Sequence, residues 1–79
     1  MDNRNERLAH DAAQITRVAN ILRRQGITSR AIFWERFDKS VTKKQLELID
    51  GVGPVRADLL QWLLSLDDVA WAALTGLQA

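Results

Sequence analysis

The chain has 79 residues, 11 basic and 10 acidic side chains, one histidine and no cysteine, for a net charge of +1. That length suits one small domain, and the missing thiols exclude both a disulfide framework and a thiolate metal site. A hydrophobic fraction of 47% belongs to a folded chain, while the charged start MDNRNERLAH and the lack of any apolar run of about 18 residues argue against a secretory signal and a membrane span.

The resulting expectation is a cytoplasmic domain spanning residues 1–79, with residues 1–6 frayed. A long helix is predicted from about Arg7 to Gln25, because Leu8, Ala12, Ile15, Ala19 and Leu22 recur at spacings of three and four, with Val18 widening the stripe. Arg17, Asn20 and Arg24 fall off that stripe and are free to face solvent or a ligand. His10 near the helix start reads as a solvated, inert side chain. Gly26 should end the helix in a left-handed conformation, with Ile27 folding back behind it.

Thr28 and Ser29 are candidate N-caps for a second helix, Arg30 to Phe37, in which Phe33 and Phe37 face the core. Trp34 stands either in the core or half exposed, where it could stack on a base. Asp38-Lys39-Ser40 is a linker, and Thr42 with Gln45 forms a capping-box pattern that opens a third helix. A fourth helix from Pro54 to about Leu66 is apolar on nearly all sides, and Asp67 or Asp68 should cap a fifth that ends before Gly76. The predicted fold is therefore all-α, a compact bundle of about five short helices with Leu22, Phe33, Phe37, Ile49, Leu60 and Leu64 in one core.

Between the third and fourth helices lies Gly51-Val52-Gly53. Glycine allows the chain to turn with positive φ, Val52 can tuck inward, and Pro54 suits a first helical turn. Unpaired N–H groups at the start of the fourth helix favour a phosphate there, and Arg56 could add a charged contact. Leu46, Ile49, Gly51, Val52, Gly53, Ala57 and Leu60 occupy every slot of the pattern that marks a helix-hairpin-helix, so the stretch 46–64 resembles that motif of DNA-repair and DNA-processing proteins.

Together with Arg17, Ala19, Asn20 and Leu22 on the first helix and with Gly26-Ile27, the hairpin resembles the C-terminal domain of the bacterial RNA polymerase alpha subunit, a SAM-like fold. The resemblance spans about residues 15–66 and implies a non-enzymatic module that binds the minor groove of A·T-rich DNA in a transcription assembly. It implies contacts at Arg17, Asn20, Gly53 and Arg56. The chain departs from the family with Val55 in place of a lysine and Pro54 in place of a polar residue.

Charge distribution agrees with a polyanion partner. Between Arg17 and Lys44 there are eight basic residues against Glu35 and Asp38, an excess of six, whereas from Ala57 onward only Asp58, Asp67 and Asp68 are charged. The expected double-stranded DNA site comprises Arg17, Asn20, Arg24, Lys43, Gly51, Val52, Gly53, Val55 and Arg56. Arg23 is a further candidate for neutralising phosphates. No nucleophile–base pair, metal cluster or phosphate-binding loop is visible, so neither an enzyme nor a cofactor is expected. The competing reading is a protein-interaction module, docking to another subunit or to itself through Trp62, Leu66, Trp71 and Leu74. It expects Trp71, with Trp62 as an optional second, to be more exposed than Phe33 and Phe37.

Overall fold

A computed structural model describes the backbone of residues 3–79 and the side chains of residues 12–79. The expectations placed on Leu8 and His10 lie outside the described side chains. Five helices form in the order α1 (Asn3–Arg24), α2 (Arg30–Arg36), α3 (Lys43–Glu47), α4 (Gly53–Leu64) and α5 (Asp68–Thr75). Among the described residues there is no strand beyond one isolated parallel bridge, Ser29 to Gln78. The bundle is all-helical, as the periodicity predicts.

Most boundaries follow from capping chemistry. α1 starts at Asn3, before the predicted Arg7, because no glycine or proline interrupts the segment. At its other end the Ile27 amide donates to Leu22 O at 2.8 Å and the Gly26 amide to Arg23 O at 3.0 Å. This is the paired reverse bonding of a Schellman end, with Ile27 and Leu22 both buried beneath it. Ser29, not Thr28, caps α2, its Oγ accepting from the Ile32 amide at 3.1 Å. The Thr42–Gln45 capping box is complete, at 2.8 and 3.3 Å. Asp67 caps α5 by accepting from the Ala70 amide at 2.7 Å.

The third helix is shorter than its apolar spacing suggests. Regular α-helix stops at Glu47, and the chain continues to the hairpin through tighter bonds from Leu48 N to Gln45 O and from Ile49 N to Leu46 O. α3 and α4 pack on each other, α4 also meets α1, and α1 meets α5.

The core gathers Val18, Leu22, Phe33, Leu46, Leu60, Leu63 and Trp71, each with essentially no exposure. Of the six predicted core residues, Phe37, Ile49 and Leu64 are half-buried and pack against this centre. Phe37 stacks on Phe33 with ring centroids 4.6 Å apart, and Trp34, half-buried, meets Phe33 edge to face at 5.0 Å.

Trp71 overturns the expectation of exposure: it is 0% exposed, while Phe37 is partly open. Its indole N–H donates to Gln78 O at 2.8 Å, which removes the penalty for burying the one polar atom of the ring. The Arg30 guanidinium lies 5.3 Å from the ring centroid. Arg30, counted in the sequence as part of a basic surface, is itself buried. It donates to Leu64 O and Leu66 O at the end of α4 and pairs with Asp68 in the first turn of α5.

Leu60→Ala is expected to destabilise the domain by about 2–5 kcal/mol, as large-to-small changes in a closed core do; thermal or urea denaturation measures it, and a near-neutral result would contradict the placement of α4. Arg30→Ala strands two carbonyls and should cost about 1–3 kcal/mol. Asp68→Ala should cost no more than about 1 kcal/mol, because that side chain is 79% exposed. Equal losses from the two variants would rule out the carbonyls as the main partners.

Candidate nucleic-acid interface

α1 supplies one wall of a cleft and the hairpin supplies the other. Arg17, Asn20, Ile21 and Arg24 line it from α1, and Gly51 and Arg56 from the hairpin, around a volume of about 310 Å³. Arg17 stands three and four residues before Asn20 and Ile21, and these stand four and three before Arg24, so helical geometry alone puts them on one face. Five of the nine residues expected to touch DNA meet here: Arg17, Asn20, Arg24, Gly51 and Arg56.

The hairpin glycines both have positive φ, +90° at Gly51 and +67° at Gly53. A Cβ on Gly53 would point into open space, so the backbone there is reachable from outside. A Cβ on Gly51 would stand 3.4 Å from the Ile21 side chain, which closes the turn onto α1. Val52 lies between them and is buried. Its side chain therefore tucks inward as expected and fastens the turn to the core, which leaves only its backbone for a ligand.

Of α2 to α5, α4 alone begins without a side-chain cap. Its opening turn contains Pro54, Val55 and Arg56, and Val55 is 76% exposed. The first amides of a helix carry the positive end of its dipole, and here no side chain neutralises them.

Arg56 is half-buried and more constrained than a free surface arginine. Its Nε donates to Gln14 Oε1 at 3.0 Å and its Nη1 to Gly51 O at 2.9 Å. It thus ties the hairpin to α1 and keeps further N–H donors of its fork for another acceptor. Asn20 Oδ1 accepts from Arg23 Nη1 at 3.0 Å. That bond uses the amide oxygen and leaves the two N–H donors for another acceptor.

The rest of the basic stretch divides differently from the expectation. Arg23 donates to Thr75 O, Arg30 to Leu64 O and Leu66 O, and Arg36 to Gln25 O. All three cap carbonyls near helix ends; Arg30 is buried and leaves the cationic surface, while Arg23 and Arg36 stay exposed. Lys43 is exposed at the start of α3 and does not line the cleft. Gln14 and Ile21 are the participants that reading for charge passes over; their signal is the helical step that links both to Arg17.

The residues of the competing interface differ in exposure. Trp71 is buried, and Trp62, Leu66 and Leu74 are half-buried against the core. Among the described residues no helix is long and apolar enough to cross a membrane, and no three metal-ligating side chains gather. No protein-family model, no curated protein and no solved structure matches the chain.

Arg56→Ala and Gln14→Ala should each lower stability by about 0.5–1.5 kcal/mol, and the double variant should fall short of their sum. Additive losses in chemical denaturation would show that the two side chains do not support each other.

Proposed function

We propose that the protein is a non-enzymatic DNA-binding module whose cleft and hairpin grip the backbone of duplex DNA. The observation that carries this reading is the convergence of Arg17, Asn20, Arg24, Gly51 and Arg56 on one cleft, although the two segments lie far apart in sequence. The uncapped start of α4 adds backbone donors beside them. The resemblance of residues 46–64 to the helix-hairpin-helix, and of Arg17 and Asn20 to the alpha-subunit domain, supports the same partner.

In this mechanism the amides around Gly53 and Val55 hold one phosphate and set the register without reading sequence. The remaining donors of Arg56, together with Arg24, neutralise neighbouring phosphates. Lys43 joins them only where the duplex extends past the cleft toward α3. Arg17 reaches into the minor groove, with Asn20 beside it. A·T pairs present only acceptors there, and an asparagine whose oxygen is already bonded to Arg23 offers them the complementary donors.

Fluorescence anisotropy with A·T-rich and G·C-rich duplexes at low salt tests the proposal, with salt then raised. Wild-type binding should weaken steeply with salt. Arg17→Ala should cost about 1–3 kcal/mol and remove any A·T preference, while Arg24→Ala should weaken all sequences alike and flatten the salt dependence by about one unit. Gly53→Val should reduce binding by shielding the amides. No binding of folded wild type at low salt, or full affinity in Arg17→Ala and Arg24→Ala, would refute the reading.

A further inference from the structure

A second concavity opens between the α2–α3 connection and the hairpin's first helix, and it shares no residue with the basic cleft. Its volume of about 660 Å³ lies within the range of about 300–1,000 Å³ seen for ligand-sized sites. The floor is apolar: Ile27 is buried, and Phe37, Val41 and Ile49 are half-buried along it. On the rim Leu48 is 84% exposed, the highest value among the exposed large hydrophobics of the described residues. Nothing in the fold requires a leucine at that point. Leu48 ends α3, and its structural duty is met by its backbone N–H, which donates to Gln45 O and Leu46 O.

The rim is acidic where the other cleft is basic. Asp38 and Asp50 line it and are both exposed. Arg36 also lines it and is exposed, its guanidinium donating to Gln25 O on the same rim, so the two carboxylates leave the groove a net charge of −1 against an all-arginine charged set in the other cleft. Asp38 is held in place: its Oδ1 accepts from the Ser40 amide at 2.8 Å and from the Ser40 hydroxyl at 2.9 Å. The backbone bond from Ser40, reinforced by the hydroxyl, holds the Asp38 carboxyl below the usual carboxylate range. Its second oxygen is left for a partner.

We propose that this groove docks a short segment of another protein that carries one or two bulky apolar side chains beside a lysine or arginine. The apolar floor accepts the bulky groups, and Asp38 and Asp50 receive the cation. Complementary charge of this kind selects among partners and disfavours a nucleic acid, whose phosphates the two carboxylates repel.

Selection of a phage-displayed library of random peptides of about twelve residues on the folded domain tests the assignment. Enriched sequences should pair a bulky apolar residue with a neighbouring Lys or Arg. Synthetic versions should bind the Leu48→Ser variant, and the Asp38→Asn/Asp50→Asn double variant, about ten-fold or more weakly than wild type. Circular dichroism should show both variants folded. Failure to enrich any sequence, enrichment of acidic sequences, or peptides that bind the variants as well as wild type would overturn the proposal. So would concentration-dependent self-association abolished by Leu48→Ser, which would give the groove to a second copy of this chain.

Discussion

Much of the bundle depends on the Arg30 guanidinium. It reaches from the start of α2 to the final carbonyls of α4, to Asp68 in the first turn of α5, and across the Trp71 ring. The backbone of the same residue donates to Gln78 O at 2.8 Å, so a single position joins α2, the α4–α5 elbow and the C-terminal residues. Removing a charge from water is costly, and here carbonyls, a carboxylate and a ring face offset the cost together. Fixing the end of α4 also fixes its direction, and with it the angle at which the hairpin presents its glycines to α1.

The pattern repeats at other helix ends. Arg36 reaches the end of α1, Arg30 the end of α4 and Arg23 the end of α5. The carbonyl end of a helix bears partial negative charge and unpaired acceptors, so each guanidinium satisfies a local need. Gly26 and Gly76 leave room for this: a Cβ on either would stand 3.1 Å from Nη2 of Arg36 or Arg23. A count of positive charge along the chain therefore overstates the cationic surface by Arg30, which is buried, while Arg23 and Arg36 remain exposed with fixed partners. Arg17 and Arg24 instead line the cleft.

The local signals in the sequence were strong where they concern the backbone. Caps at Ser29, Thr42 and Asp67, the stop at Gly26 and the Gly51-Val52-Gly53 turn all depend on near neighbours, and periodicity alone puts Arg17, Asn20 and Arg24 on one helix face. Non-local pairing was not legible. Nothing in the order of residues shows that Arg30 folds inward to Leu64, or that Gln78 supplies the acceptor that allows Trp71 to be buried. An excess of apolar residues in α4 and α5 consequently reads as exposed surface, although the C-terminal residues close over it. The short α3 and the exposed Leu48 were hidden for a related reason, since apolar spacing continues past the point where the helix tightens.

The cleft is divided between α1 and a hairpin some thirty residues further along the chain, so it has no counterpart in the unfolded state. Any polyanion seated in it is a ligand of the folded form alone, and mass action then raises the folding equilibrium as its concentration exceeds the dissociation constant. At about a hundred times that constant the gain is about 2.7 kcal/mol, a sizeable share of the marginal stability typical of small domains. Occupancy of the cleft and persistence of the fold are thermodynamically linked, and the loss of one draws down the other.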